Sequence, residues 1–77
     1  MTKDDLIYLI QVHKELEFQY KGKTYSLNYD TDSNGKPLIV FGRQYEGERY
    51  SSYGEFINNA KIENSYFREI LEDIPKP

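Results

Sequence analysis

The sequence contains no cysteine, which excludes disulfide bonds and thiolate metal sites as supports for the fold. A cysteine-free chain is typical of a reducing compartment, and we therefore expect a cytoplasmic protein. A helix that crosses a bilayer needs about 20 apolar residues, and every apolar run in this sequence is much shorter. The run at 6–10 follows two acidic residues, where a signal peptide would have basic ones, so we predict a soluble protein without a membrane partner.

A strong excess of charge of either sign is also missing. Ten basic and thirteen acidic residues give a net charge of −3, spread along a chain of 77 residues. Phosphate binding requires a clustered positive surface, so this balance argues against a nucleic-acid partner. A chain of this length forms one small domain, and we assign 1–77 to a single unit of modest stability.

Residue patterns that support catalysis are scarce as well. His13 is the only histidine, and it lies on an apolar helical stripe without a partner that would make it an acid–base group or a metal ligand. The sequence has no phosphate-binding glycine loop, no nucleophile elbow and no cysteine nucleophile. We therefore predict a protein that is not an enzyme, with no catalytic residue and no cofactor.

The sequence is instead rich in tyrosine and phenylalanine, and several of these residues alternate along one segment. Lys21-Gly22 is a suitable two-residue turn, because glycine adopts positive φ without steric cost. With this turn, Phe18 faces Tyr25 and Tyr20 faces Lys23 in an antiparallel hairpin. One face of the hairpin is then apolar and consists of Phe18, Tyr20, Tyr25, Leu27 and Tyr29.

A second hairpin is predicted around Asn34-Gly35, a strong turn dipeptide that precedes the apolar run 38–41. A two-residue loop places Leu38 and Val40 on the core side, whereas a loop one residue longer places Ile39 and Phe41 there. The sequence leaves both registers open. The polar segment 42–51 is predicted mainly as a loop with its turn at 46–48, and a short extra hairpin is the alternative.

Three further segments have helical spacing. The first begins at the N-cap Thr2 and carries an apolar stripe that includes His13 and Leu16. The second begins at Ser52, which is predicted to form a capping box with Glu55. The third is predicted to follow a cap at 64–65 and to end before Pro75. We therefore predict an α+β fold, a three-stranded antiparallel meander covered on one face by helices, in the order α-β-β-β-α-α.

The segment Asp30-x-Asp32-x-Asn34-Gly35 resembles the first half of an EF-hand calcium loop, where oxygen ligands occupy alternate positions. Position 12 of that loop would be Phe41 instead of the bidentate glutamate, and strands rather than helices flank the segment. A turn built from Asp, Asn and Gly is the favoured interpretation. A calcium-stabilised loop through Asp30, Asp32 and Asn34 is the third functional hypothesis.

The element order α-β-β-β-α resembles that of double-stranded RNA-binding domains, and the resemblance implies nucleic-acid binding. Where that family has a basic cluster at the start of its last helix, this sequence has Ser52-Tyr53-Gly54-Glu55. Lys21, Lys23 and Lys36 are the basic side chains near the predicted hairpin turns. Nucleic-acid binding is therefore the second functional hypothesis.

Four residues have side chains suited to a protein interface but no assigned place in the core: Tyr8, Val12, Tyr45 and Arg49. Tyrosine and arginine are enriched in the hot spots of protein interfaces. Tyr8 and Val12 widen the apolar stripe of the first helix beyond what one packing surface needs. The leading prediction is a small protein-binding or regulatory module whose partner is another protein or a second copy of the chain.

Overall fold

A computed structural model of the chain describes residues 1–75, and positions 76 and 77 of the predicted domain lie outside the described residues. The described residues form an α+β fold, which confirms the predicted class. The helices are α1 (Lys3–Gln11), α2 (Tyr53–Asn59) and α3 (Phe67–Ile70), with a 3-10 turn at Leu71–Asp73. The strands are β1 (Leu16–Tyr20), β2 (Lys23–Thr31), β3 (Pro37–Arg43), β4 (Glu48–Tyr50), β5 (Lys61–Ile62) and β6 (Ser65–Tyr66).

The first hairpin has the predicted register. Phe18 of β1 lies opposite Tyr25 of β2, and Tyr20 lies opposite Lys23. The two turn residues, Lys21 and Gly22, both have positive φ, at 50° and 79°. This is the type I′ geometry whose twist matches that of the two strands.

The second hairpin has the longer of the two loops that the sequence allowed. Tyr29 of β2 lies opposite Ile39 of β3, so Ile39 and Phe41 point into the core. Before the turn, the Asp32 N–H donates to the Lys36 carbonyl at 2.9 Å, which leaves three residues in the loop. Gly35 closes the loop with φ of 81°.

The predicted three-stranded meander is wrong in one respect, because the main sheet has four antiparallel strands in the order β1-β2-β3-β4. Part of the polar segment 42–51 forms β4, in which Arg49 lies opposite Val40. The turn is also earlier than predicted, since the Glu46 N–H donates to the Arg43 carbonyl at 2.8 Å. Strand β4 has only three residues, of which Tyr50 alone is partly buried, so it is too short to show the apolar alternation by which a strand is recognised in a sequence.

The first helix is shorter than the predicted stripe. Thr2 and Asp5 form a capping box at its start, and the helix ends at Gln11. His13 has a left-handed φ of 53°, and Leu16 belongs to β1 rather than to the helix. Lys14 donates its N–H to the Leu9 carbonyl at 2.9 Å, which stops the helix in place of the next helical hydrogen bond.

The C-terminal third differs more from the prediction. Ser52 is the N-cap of α2, and its hydroxyl accepts the Glu55 N–H at 3.1 Å, but the Glu55 carboxylate binds Ser51 rather than the N-cap. The predicted cap at 64–65 is wrong, because these residues belong to the turn and second strand of the small β5-β6 ribbon. The third helix therefore starts at Phe67, without a side-chain cap.

The core lies between one face of the main sheet and the helices. Phe41 of β3 packs at 4.5 Å between ring centroids from Phe67 of α3 and at 5.2 Å from Phe56 of α2, and Phe18 lies 5.9 Å from Phe67. Burying each of these side chains stabilises the fold by about 2 kcal/mol. Leu6 and Leu9 of α1 join the same cluster. The buried side chains come from alternate positions of each strand, which leaves the other face of the sheet uncovered.

Candidate functional site

The side of the main sheet that faces away from the buried core is here called the open face. Its side chains come from the strand positions that alternate with the buried ones, as the register of the four strands requires. The open face consists of Glu17, Gln19, Thr24, Ser26, Asn28, Asp30, Leu38, Val40 and Arg49. It is therefore mainly polar, with two apolar side chains from β3.

A shallow hollow of about 390 Å³ lies on the open face where β4 and the β3–β4 turn rise beside the sheet. Its lining includes Ser26, Asn28, Val40, Gln44, Tyr45 and Arg49. Backbone groups hold the turn in place, since the Gln44 N–H donates to the Thr24 carbonyl at 3.1 Å. The hollow therefore combines hydroxyl and amide groups with one aliphatic wall and one aromatic ring.

Tyr45 is the most exposed large hydrophobic side chain among the described residues, with 95% of its surface accessible. It occupies the turn with φ of 71°, a left-handed conformation that is uncommon for an aromatic residue. Two residues after Tyr45, the backbone at Gly47 passes close to β3, because a Cβ added to Gly47 would lie 2.6 Å from Cγ1 of Val40. This close approach holds the turn against the sheet with the ring of Tyr45 in solvent.

One ion pair crosses the open face. Nη2 of Arg49 lies 3.0 Å from Oδ2 of Asp30, and both side chains are exposed. The Arg49 hydrogen bond, followed by the Thr31 N–H, lowers the pKa of the Asp30 carboxyl below its usual value. Glu17 supplies a second carboxylate on this face. The charges of the open face are therefore mixed rather than basic.

The predicted interface residues do not form one patch. Tyr45 and Arg49 both line the hollow on the open face. Tyr8 and Val12 are 61% and 50% exposed, but Tyr8 lies on α1 and Val12 is its C-cap residue, and α1 packs on the opposite side of the sheet. The structure thus brings together one half of the predicted set and separates it from the other half.

His13 packs against a neighbouring aromatic ring at the end of α1. Its ring stacks on that of Tyr29, with 5.0 Å between centroids and 18° between planes. The Tyr29 hydroxyl is within donor distance of the carbonyls of Leu9 and Lys14, at 3.1 and 2.9 Å, so it closes the C-terminal end of α1. Burial, with a smaller contribution from the nearby Glu15 carboxylate, raises the pKa of Tyr29 to about 12.

The carboxylates of the predicted calcium loop already accept hydrogen bonds from the loop itself. Oδ1 of Asp32 accepts the N–H groups of Asn34 and Lys36, at 2.8 and 2.9 Å. Oδ1 of Asp30 accepts the Thr31 N–H at 2.8 Å, and its other oxygen binds Arg49. Within residues 1–75, no group of three or more His, Cys, Asp or Glu side chains is arranged to hold a metal ion. The geometry is that of a hydrogen-bonded turn.

Basic side chains are dispersed and several contact other groups. Nζ of Lys23 lies 3.4 Å from the Glu63 carboxylate. Lys61 and Arg68 lie over the ring of Tyr66, at 4.9 and 4.3 Å from its centroid. These three cations are thus already in contact with a carboxylate or an aromatic ring, rather than free for a nucleic-acid backbone.

Comparisons with protein families, with curated proteins and with solved structures each find no significant match to this chain. None of the helices within residues 1–75 is long and apolar enough to span a membrane.

Six residues that line the hollow were absent from the predicted interface, and three of them are polar and uncharged: Ser26, Asn28 and Gln44. The alternation of β2 had already placed Ser26 and Asn28 on the side opposite the core. Alternation identifies a residue that faces solvent. It does not indicate that β4 and the β3–β4 turn will lie next to that residue and form a hollow. Gln44 had no signal, because the segment around it was predicted as a loop.

Proposed function

We propose that the protein is a small non-enzymatic protein-binding module whose partner docks on the open face around Tyr45. The observation that supports this proposal is the 95% exposed ring of Tyr45 at the edge of the hollow on the open face. The ring of Tyr45 is exposed to water and therefore does not stabilise the core. Tyrosine contributes large contact area at low entropic cost, which is why it dominates binding hot spots.

The chemistry of the hollow fits a polypeptide partner. Ser26, Asn28 and Gln44 offer hydroxyl and amide groups that donate and accept hydrogen bonds, as peptide groups do. Val40 provides an apolar contact beside them, and Arg49 supplies the second residue type that is enriched in protein interfaces. Polar, aromatic and aliphatic groups in one shallow surface are typical of a transient protein interface.

The alternative, nucleic-acid binding, has weaker support on the same face. The open face carries Glu17 and Asp30 against the single cation Arg49, which is paired with Asp30. A phosphate backbone would meet net repulsion there. The calcium hypothesis also has weaker support, because the Asp32 carboxylate already accepts backbone hydrogen bonds within the loop.

The test is a titration of the protein against a partner captured from its own cells and then purified. We expect Tyr45→Asn to weaken binding about tenfold or more, as removal of a hot-spot ring does. Asparagine suits this position because it tolerates the left-handed backbone that Tyr45 adopts. Tyr8→Asn is the matched control, since it removes an exposed tyrosine on the opposite side of the sheet. Equal loss of binding in both variants, or no loss in Tyr45→Asn, contradicts the proposal.

A further inference from the structure

The first strand of the main sheet is an unprotected edge. On one side, β1 pairs with β2 along its whole length, from Leu16 to Tyr20. On the other side, no backbone group of the described residues donates to it or accepts from it. The opposite edge, β4, is only three residues long and carries Glu48 and Arg49, which are common protections of an edge strand. Strand β1 is five residues long, has Glu17 as its single charged residue and neither lysine nor proline, and its pairing with β2 has no bulge.

The outward backbone groups of β1 follow from its turn. Tyr20 and Lys23 flank the two-residue loop, so the Tyr20 carbonyl accepts the Lys23 N–H. Residues that bond the partner alternate along an antiparallel strand. Glu17 and Gln19 therefore direct their N–H and C=O groups away from β2, toward solvent. This row is a template for one more antiparallel strand.

We propose that the added strand is β1 of a second copy of this chain, paired antiparallel across a two-fold axis at Phe18. In this register Glu17 lies opposite Gln19 of the second copy, so the outward groups of one strand meet those of the other. Leu16 lies opposite Tyr20 on the core side, which keeps apolar neighbours together. The proposal goes beyond the function proposed above, because it assigns a second copy of the chain to the β1 edge, apart from the partner that docks around Tyr45.

Charge complementarity supports this partner and this register. One residue beyond each end of β1, Glu15 of one copy lies opposite Lys21 of the other, and the two-fold axis repeats the pair. The side chains of both residues are exposed. Within one copy, Nζ of Lys21 lies 5.5 Å from the centroid of the Tyr20 ring and has no carboxylate partner among the described residues. The second copy supplies that carboxylate.

Neighbouring registers are less favourable. A shift by one residue would place the apolar side of one strand on the open face of the other copy. An axis at Glu17 would place two Glu17 carboxylates directly opposite each other, which is destabilising. An axis at Gln19 would bring Lys21, whose φ is 50°, into the paired segment and shorten the ladder. The axis at Phe18 alone pairs all positions of β1 without a charge conflict.

The experiment measures the mass of the protein in solution by light scattering after size exclusion, over a range of concentrations. We expect the natural sequence to dimerise and Glu15→Lys and Lys21→Glu each to weaken dimerisation about tenfold or more, because each creates like-charged pairs. An equimolar mixture of the two variants should form a heterodimer, since position 15 of each chain then lies opposite a residue of the opposite charge at position 21 of the other. Thermal unfolding checks that each variant is folded, as expected for exposed positions outside the core.

A backbone variant makes the test independent of charge. Gln19→Pro removes an outward N–H and no hydrogen bond to β2, so we expect a folded monomer, whereas Gln19→Thr should remain dimeric. Four results would overturn the proposal: a natural sequence that stays monomeric at every concentration, single variants that dimerise normally, a mixture that does not associate, or a dimeric Gln19→Pro. Tyr45→Asn lies outside β1 and should dimerise normally. A monomer that still requires Tyr45 for its partner would therefore reject the β1 dimer and leave the proposed function intact.

Discussion

Replacing Tyr29 by phenylalanine tests how the first helix is fixed to the sheet. The Tyr29 hydroxyl lies 3.1 Å from the Leu9 carbonyl and 2.9 Å from the Lys14 carbonyl, at the end of α1. Phenylalanine keeps the ring that stacks on His13 and removes only this donor. The variant therefore isolates the hydrogen bond from the packing.

The expected loss of stability in Tyr29→Phe depends on which hydrogen bonds the carbonyls of Leu9 and Lys14 keep. The Leu9 carbonyl still accepts the Lys14 N–H at 2.9 Å, and Lys14 is exposed, so its carbonyl can bind water. Neither carbonyl becomes a buried unsatisfied group. The loss is that of one hydrogen bond, about 1 kcal/mol in the free energy of unfolding. For a domain of this size, that corresponds to a fall in Tm of about 4–8 °C.

The pH dependence gives the same variant a second readout. The pKa of Tyr29 rises from 10.0 to about 12 in the folded state, which means that the fold favours the neutral phenol. The resulting stabilisation is complete below pH 10 and is lost as the pH rises toward 12. Because Tyr29 is only partly buried, solvent screening reduces this pH-dependent stabilisation to about 1 kcal/mol. Since phenylalanine has no proton to lose, the difference in stability between the two proteins should shrink above pH 10.

The assay is thermal and urea unfolding followed by circular dichroism, at pH 7 and in steps to pH 11. Tyr8→Phe is the control, because the Tyr8 hydroxyl is on the exposed side of α1 and its change should leave Tm unaltered. An equal Tm for Tyr29→Phe and the natural sequence at pH 7 would refute the role of the hydroxyl. A difference that stays constant to pH 11 would refute the assignment of the raised pKa.

Three further changes have defined outcomes. Gly47→Ala places a Cβ 2.6 Å from Cγ1 of Val40, so unfolding measurements should show a loss of about 1–3 kcal/mol, whereas Gly54→Ala in α2 should be neutral or stabilising. Ser52→Ala removes the side-chain acceptor at the start of α2 and should cost about 1 kcal/mol in the same assay. Millimolar calcium should leave Tm unchanged, because Oδ1 of Asp32 already accepts two backbone N–H groups and Asp30 is paired with Arg49, and a rise of several degrees would instead support the calcium loop.

Sequence reasoning was accurate where a local pattern determines the geometry. The turn at Lys21-Gly22 fixed the register of the first hairpin, and the Thr2 and Ser52 caps identified the first residues of two helices. It failed where a distant contact decides the local structure. The end of α1 depends on Tyr29, which is far along the chain, and no pattern near His13 indicates it.

The candidate surface was predicted only in part for a related reason. Tyr45 and Arg49 were selected by residue type, and the structure places both at the hollow. Tyr8 and Val12 were selected because they widen the apolar stripe of the first helix, but they lie on the other side of the sheet. Residue type indicates which side chains suit an interface, whereas their proximity depends on β4, which the polar sequence did not reveal.

A single choice of register determines both the core and the open face. With a two-residue loop, Leu38 and Val40 would have been buried and Phe41 would have faced solvent. The longer loop instead buries Phe41 against Phe56 and Phe67, at 5.2 and 4.5 Å between centroids, a gain in buried apolar surface that valine cannot match. The same choice leaves Val40 on the open face, where it forms the apolar wall of the hollow. The hollow is therefore a consequence of how the core is filled, and a variant that shifted the β2–β3 register would be expected to lose the hollow together with stability.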